Sequence, residues 1–98
     1  MKKIALITGA TSGIGAACAR KFAEGGYSLI LTGRNEGKLA EIKDELEKEG
    51  TKVITLAFDV RDANAAQKAI ESLAGDWESV DVLINNAGLA LGLEKEYE

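Results

Sequence analysis

Apolar runs alternate with stretches of helical periodicity along the chain. Residues 3–8 form a continuous apolar run that ends at Gly9, as is typical of a strand buried on both faces of a parallel sheet. Runs of the same kind, partly β-branched, predict three further strands at residues 27–32, 52–58 and 80–84.

Three helices are predicted between these strands. The first follows the glycine-rich segment after residue 8 and ends at the Gly25-Gly26 pair, which suits a left-handed helix stop. The second covers residues 38–49 and carries its apolar side chains on one face. The third is capped by Asp62 or Asn64 and runs through Leu73. The predicted order of elements is therefore βαβαβαβ.

This alternation predicts an α/β protein with the three-layer Rossmann fold. Right-handed crossovers place helices on both faces of a parallel sheet, and residues 1–98 are expected to form a single domain. In a doubly wound sheet of strand order 3-2-1-4-5-6 the fourth strand is internal. We therefore expect the N-terminal half of such a domain, incomplete at its C-terminus, with the fourth strand covered by further chain or by another molecule.

The composition is that of an ordinary folded protein, with 46% hydrophobic and 29% charged residues. A formal net charge of −4 argues against nucleic acid as a partner, because no general positive field attracts phosphate backbones. The N-terminal apolar run is too short for a secretory signal or a membrane span. Cys18 is the only cysteine, so no intramolecular disulfide can form. These features predict a cytoplasmic protein that does not bind membranes.

Residues 8–15, with the sequence TGATSGIG, join the first strand to the first helix. A helix N-terminus offers unpaired N–H donors and a partial positive charge, so this junction predicts a phosphate site. Gly9 permits a tight exit from the strand, Gly13 lets a phosphate approach the backbone, and Gly15 allows the helix to pack closely on the sheet. The alternative is a glycine-rich turn that binds nothing. The predicted ligand-binding residues of this segment are Gly9, Thr11, Ser12, Gly13, Ile14 and Gly15, with hydroxyl donors on Thr11 and Ser12.

Polar segments also follow the other three predicted strands. Arg34-Asn35 follows the second, Asp59-Val60 the third and Asn85-Asn86-Ala87-Gly88 the fourth. Open parallel sheets bind ligands in the crevice at the carboxyl ends of their strands, so these segments are expected to share one site with the glycine turn. Taken singly, each segment is equally typical of a polar turn that follows a strand.

The pattern Thr-Gly-x-x-x-Gly-Ile-Gly, together with these later segments, resembles the short-chain dehydrogenase/reductase (SDR) family over the whole chain. The resemblance implies a dinucleotide cofactor. It also implies that Asp59 and the amide of Val60 hold the adenine, that Asn86 and Ala87 line the adenosine ribose, and that Asn85 helps to lock the sheet. The cofactor-binding residues implied in the last two segments are Asp59, Val60, Asn86, Ala87 and Gly88.

The residues after the second predicted strand favour NADP(H) over NAD(H). NAD-dependent enzymes usually place an acidic residue there to bind the ribose 2′-hydroxyl, and this carboxylate would repel a 2′-phosphate. This chain has Arg34, whose planar cation suits a phosphate, and Asn35, which can add an amide donor. In the alternative interpretation Arg34 is a solvated charge that pairs with Glu36, and Glu36 could also support NAD binding.

The resemblance implies an oxidoreductase that transfers hydride between the nicotinamide and a small-molecule substrate. In the family a tyrosine and a lysine four residues apart carry the catalysis, with a serine and an asparagine, and all of them lie beyond residue 98. No residue of this chain is therefore predicted to be catalytic or to bind a metal. These 98 residues alone are expected to be inactive.

The segment at residues 85–92, with Trp77 before it, resembles the SDR enzymes that oxidise 3-hydroxy acids such as serine. Two alternatives stay open. One is a 3-ketoacyl carrier-protein reductase, which shares every cofactor motif, and the other is a non-catalytic dinucleotide-binding module. The resemblance also implies a homo-oligomer, most often a tetramer, for the complete enzyme.

Overall fold

Strands and helices alternate in the computed structural model, which describes residues 3–59, 62–73 and 79–86. In these ranges the chain forms four strands and three helices, in the predicted order. The strands are β1 (Ile4–Thr8), β2 (Ser28–Gly33), β3 (Val53–Ala57) and β4 (Val82–Asn85). The helices are α1 (Gly13–Glu24), α2 (Glu36–Glu47) and α3 (Ala63–Glu71).

The strands form one parallel sheet in the order β3-β2-β1-β4. This arrangement confirms the predicted Rossmann-like α/β fold and the 3-2-1-4 part of its strand order. Ala5 of β1 pairs with Leu29 of β2 on one side and with Val82 of β4 on the other. Every residue of β1 is fully buried, as the continuous apolar run predicted. The carboxyl ends of all four strands consequently lie along the same edge of the sheet.

Side chains of alternate residues along the strands build two apolar clusters, one on each face of the sheet. The first cluster joins the sheet to α1 and α2, and the second is centred on Ile4, Leu6 and Ile30 with Val80. Each fully buried leucine or isoleucine contributes about 1.5–3 kcal/mol through its removal from water. The buried residues of the first cluster are Ala5, Ile7, Ala10, Ala19, Leu29, Leu31, Leu39, Leu46 and Val53.

The end of α1 is as predicted. Gly26 has φ of 88°, in the left-handed region that glycine adopts without strain, and its N–H donates to Ala23 O at 3.0 Å.

Two element starts differ from the sequence prediction by two residues, and local hydrogen bonds explain both. α2 begins at Glu36 rather than at residue 38, because Asn35 Oδ1 caps the helix by accepting from Lys38 N at 3.0 Å. β4 begins at Val82 rather than at residue 80. Just before the strand, the Asp81 carboxylate accepts the Ile4 N–H at 2.8 Å in place of a backbone carbonyl. The regular ladder therefore starts at the next residue, Val82.

An ion pair on the protein surface links the two helices that share one face of the sheet. Arg20 Nε on α1 donates to Glu45 Oε2 on α2 at 2.7 Å, and a second bond joins Arg20 Nη2 to Glu45 Oε1 at 3.2 Å. This hydrogen-bonded contact with the guanidinium lowers the pKa of Glu45, and the same contact raises the pKa of Arg20. Both side chains are about half exposed, so the pair adds little stability.

None of the helices within the described ranges has the length and the hydropathy that a bilayer-crossing segment needs.

Candidate functional site

The glycine turn between β1 and α1 is held by backbone hydrogen bonds. Gly9 has φ of 62°, a left-handed conformation that turns the chain sharply out of the strand and suits only glycine well. The next N–H, that of Ala10, donates to Thr32 O at 2.9 Å and ties the turn to β2. The Ser12 N–H closes the turn by donating to Gly9 O at 3.1 Å. The turn is therefore part of the sheet edge rather than a loose loop.

The Ser12 side chain stabilises this turn from inside. Its hydroxyl donates to Gly9 O at 2.9 Å and accepts from Gly15 N at 3.0 Å, which makes Ser12 the N-cap of α1. It also accepts from Asn86 Nδ2 at 2.8 Å. A hydroxyl has one hydrogen to donate, and here that hydrogen is directed at Gly9. Ser12 thus acts within the turn in this structure, and its predicted role as a donor to a ligand stays a prediction.

Two backbone donors at the start of α1 remain for a ligand. The first four N–H groups of a helix have no partner within it, and Ser12 takes only those of Gly15 and Ala16. Within the described ranges the N–H groups of Gly13 and Ile14 have no acceptor. The first turn of α1 contains no acidic residue that would compete for its partial positive charge. The arrangement is suited to bind an anion.

Gly13 and Gly15 have very different surroundings. A Cβ on Gly15 would overlap the Gly9 carbonyl oxygen and would lie 2.9 Å from Ala10 Cα, so a side chain here requires the backbone to move. A Cβ on Gly13 would meet no described atom within 4 Å. Beside it, the Ile14 side chain is 71% exposed. Gly15 is therefore required for packing, as predicted, whereas Gly13 borders open space in front of the helix.

The two asparagines at the end of β4 connect this strand to its neighbours. Thr8 Oγ1 donates to Asn85 Oδ1 at 3.1 Å and joins β1 to β4, the sheet contact that the family resemblance implied for Asn85. Asn86 Nδ2 donates to Gly9 O at 3.1 Å as well as to Ser12 Oγ. Asn86 consequently holds the glycine turn against β4, and its predicted contact with a ribose is a separate matter that stays a prediction.

A depression of about 720 Å³ lies at the carboxyl ends of β2 and β3. The Phe58 N–H donates to Gly33 O at 2.9 Å, so the two strand ends are hydrogen-bonded at its base. The depression is lined by Arg34, Asn35, Glu36, Ala57, Phe58 and Asp59. It brings together the segments that were predicted to follow the second and third strands.

Arg34 pairs across this depression with Asp59, not with Glu36 as the alternative interpretation held. Arg34 Nη1 lies 3.9 Å from Asp59 Oδ2, and the two side chains are 64% and 39% exposed. Asn35 also lines the depression; its Oδ1 accepts as the cap of α2, and its Nδ2 is the predicted amide donor.

Gly33 is a residue of the site that the sequence analysis did not single out. A Cβ at this position would lie 3.3 Å from Thr11 Cγ2, so glycine here lets Thr11 of the glycine turn approach the end of β2. A glycine that interrupts an apolar strand at its end was the available signal, since it often marks close approach of another part of the backbone.

Several predicted residues lie outside the described part of the chain. They are Val60, Trp77, Ala87, Gly88 and the remainder of the segment at residues 85–92 beyond Asn86.

The chain is similar to known proteins along nearly all of its length. Residues 3–98 match the profile of the short chain dehydrogenase family. The chain is 47% identical over 95 residues to an NADP-dependent 3-hydroxy acid dehydrogenase, YdfG, of Salmonella typhi, a match that covers 97% of this chain and 37% of that protein. It is 53% identical over 91 residues to sulfoacetaldehyde reductase 2 of Chromohalobacter salexigens, covering 93% of this chain and 36% of the relative.

Among solved structures, the chain is similar to L-sorbose reductase from Gluconobacter frateurii in complex with NADPH and L-sorbose. The TM-score is 0.81 at 36% identity, and the match covers 89% of this chain and 34% of the other. The chain thus spans little more than a third of the length of these proteins. Its glycine turn, its sheet and its sequence match agree, and the chain belongs to the short-chain dehydrogenase family.

Proposed function

We propose that this chain binds NADP(H) and forms the cofactor-binding part of an oxidoreductase. The observation that carries the proposal is the pair of N–H donors of Gly13 and Ile14, which have no acceptor among the described residues, at the same edge of the sheet as the depression lined by Arg34. A pyrophosphate needs donors of this kind, and a 2′-phosphate needs a cation a few ångströms further along the sheet edge.

The glycine turn would hold the pyrophosphate. The absence of a Cβ on Gly13 lets an anion approach the backbone, and the positive end of α1 stabilises its charge. Gly9, Ser12, Gly15 and Asn86 support this role indirectly, because their contacts fix the turn in the required shape.

The depression between β2 and β3 would hold the adenosine end of the cofactor. Arg34 can donate two N–H groups to a 2′-phosphate, and the Nδ2 of Asn35 can add a third donor. Asp59 also lines the depression, and the family resemblance implies that it contacts adenine. In the same proposal Val60, Ala87 and Gly88 complete the adenosine pocket, and NAD(H) binds less well because it lacks the phosphate.

The activity proposed for the whole protein is hydride transfer between the nicotinamide and a small hydroxy acid or its carbonyl form. The bound cofactor supplies the hydride acceptor or donor, and the residues described above bind and orient it. The relative named as a 3-hydroxy acid dehydrogenase supports this substrate class. The relative named as a sulfoacetaldehyde reductase supports a second candidate, the reduction of a small sulfonated aldehyde.

The remaining parts of the proposal concern the whole protein. Residues 1–98 would act as a single dinucleotide-binding unit, without the catalytic tyrosine and lysine. The single cysteine supports a cytoplasmic location. A homo-oligomeric enzyme, most often a tetramer in this family, is the proposed assembly.

The substitution Arg34→Asp in the full-length protein tests the proposed cofactor. It removes a charged donor and adds a repelling carboxylate, so the affinity for NADPH is expected to fall roughly tenfold to hundredfold while the affinity for NADH is retained. Isothermal titration with each cofactor measures both. Lys48→Asp, which makes the same charge change at the far end of α2, is the matched control and leaves the preference as it is. An Arg34→Asp protein with the wild-type preference would refute NADP(H) selection by this residue.

A further inference from the structure

The Arg34–Asp59 pair puts the proposed phosphate-binding cation in contact with an anion of the protein itself. Arg34 follows β2 and Asp59 follows β3, and both line the same depression. Their charged groups approach to 3.9 Å. A 2′-phosphate that binds Arg34 therefore meets a guanidinium that already has a negatively charged neighbour.

The geometry of the pair indicates attraction without firm orientation. Hydrogen bonds between nitrogen and oxygen are usually about 2.7–3.2 Å long, so 3.9 Å is a charge contact rather than a hydrogen bond. Arg34 is also 64% exposed, which leaves its side chain room to rotate. The bidentate Arg20–Glu45 pair, with contacts of 2.7 and 3.2 Å, shows what a fixed guanidinium looks like in this chain. Asp59 thus attracts Arg34 electrostatically but does not fix the orientation of its guanidinium group.

We infer that Asp59 is a specificity-determining residue, whose carboxylate competes with the 2′-phosphate of NADP(H) for Arg34. The inference rests on the proposed function and deepens it. NAD(H) has no 2′-phosphate, so it binds while the Arg34–Asp59 pair stays intact. NADP(H) binds only when its 2′-phosphate displaces Asp59 from Arg34 or contacts Arg34 together with Asp59. Asp59 therefore lowers the preference for NADP(H) that Arg34 alone would give.

The ratio of the two dissociation constants is the quantity that reports this competition. Asp59 also lines the pocket that would hold the adenine, so its replacement can weaken both cofactors. A loss common to NADPH and NADH cancels in the ratio, and a general loss of folded protein cancels with it. Asp59→Asn is the suitable change because it removes the charge and keeps the size and one carbonyl oxygen.

The experiment is a double-mutant cycle in the full-length protein, with wild type, Asp59→Asn, Arg34→Ala and the double variant titrated against NADPH and NADH. In the protein that retains Arg34, Asp59→Asn is expected to raise the preference for NADPH over NADH by about two- to fivefold. This factor is the one expected from the free energy of a partly exposed ion pair. In the Arg34→Ala background the same change is expected to leave the preference unaltered, because the cation through which Asp59 acts is absent.

Three results would overturn the inference. An unchanged preference in Asp59→Asn would mean that the pair has no influence on the phosphate. A reduced preference would mean that Asp59 orients Arg34 for phosphate binding instead of competing for it. An equal rise in both backgrounds would mean that Asp59 repels the phosphate directly. Failure of the proposed function has a different signature, since wild-type protein would then not bind NADPH at all.

Discussion

Gly13 and Gly15 lie two positions apart in the same turn and lack a side chain for different reasons. At Gly15 the Gly9 carbonyl oxygen fills the place of a Cβ, so glycine is needed for α1 to pack on the sheet edge. At Gly13 no described atom within 4 Å occupies that place. Folding therefore requires glycine at position 15, whereas packing among the described residues does not require it at position 13.

Valine at each position separates these two requirements. Gly15→Val is expected to lower the free energy of unfolding by about 1–3 kcal/mol or more, because it overpacks rigid backbone. Gly13→Val is expected to keep a melting temperature near that of wild type and to lose NADPH binding, because its methyl groups fill the approach to the N–H donors. Thermal unfolding and calorimetric titration measure the two effects. A folded Gly13→Val protein that binds NADPH normally would refute the phosphate role of the turn.

The residue types of this site could be predicted from the sequence, but several side-chain roles could not. The glycines and Arg34 were identified because backbone conformation and charge are properties of the residue itself. Ser12 and Asn86 were predicted to face a ligand, and the structure directs the Ser12 hydroxyl and the Asn86 amide into the turn. The Ser12 contacts are local and are those of a helix N-cap, so this role was available from the sequence. The direction of Asn86 depends on β4 lying beside the glycine turn, 77 residues away in sequence, which no local pattern encodes.

At the scale of the elements, β1 and β2 each carry a fully buried threonine, and the two threonines differ in whether the hydroxyl is hydrogen-bonded among the described residues. Ile7 pairs with Leu31, so Thr8 and Thr32 follow side by side on neighbouring strands, and both are fully buried. The Thr8 hydroxyl bonds to Asn85 Oδ1 at 3.1 Å. The Thr32 hydroxyl has no hydrogen-bond partner among the described residues. An unpaired buried hydroxyl costs about 1–3 kcal/mol, so β2 contains a local source of instability.

Replacement of each threonine by valine, which has nearly the same shape, tests this difference. Thr32→Val is expected to raise the free energy of unfolding by up to about 1 kcal/mol, because it removes a polar group that has lost its water. Thr8→Val is expected to lower it by about 1–2 kcal/mol, because it removes the hydrogen bond that the hydroxyl donates to Asn85 Oδ1. Chemical denaturation of both variants gives the values. Destabilisation by Thr32→Val would show that its hydroxyl does have a partner in solution.

Hydrophobic periodicity predicted every described strand and helix, because burial on a sheet face imposes it directly. Element ends followed other rules. Asn35 and Asp81 moved the starts of α2 and β4 by two residues each, through side-chain bonds to backbone N–H groups. An asparagine before a helix is a known signal for its start, whereas nothing in the sequence around Asp81 indicates that its carboxylate will bond to Ile4.

At the scale of the whole molecule, β1 has a hydrogen-bonded neighbour on both sides, and β3 ends the described sheet. Parallel strands direct successive N–H groups to alternate sides. In β1 the N–H groups of Ala5, Leu6 and Ile7 therefore each meet a neighbouring strand. Just past β3, the N–H of Phe58 points to β2. The N–H groups of Leu56 and Ile54 therefore also point to β2, and those of Thr55 and Ala57 point away from the sheet.

Hydrogen exchange resolved by residue tests this architecture. The amides of Ala5, Leu6 and Ile7 are all expected to exchange slowly, close to the rate set by global unfolding. In β3 the amide of Leu56 should be slow and that of Thr55 faster by orders of magnitude. Uniform protection along β3 would contradict its position at the sheet edge.

The pairing of β1 with β4 also has a consequence for biosynthesis. Ile4 bonds to Asp81, and the glycine turn bonds to Asn86, over sequence separations of 77 and 74–77 residues. A ribosome makes the N-terminus first, so the most apolar strand of the sheet leaves the exit tunnel long before the partner that covers one of its sides. Until Asn86 has emerged, the nascent chain exposes an unpaired edge to chaperones, and the glycine turn is not yet held against β4. Translational arrest before that codon would release a polypeptide with the complete glycine signature but without the β4 contacts that hold the turn in place.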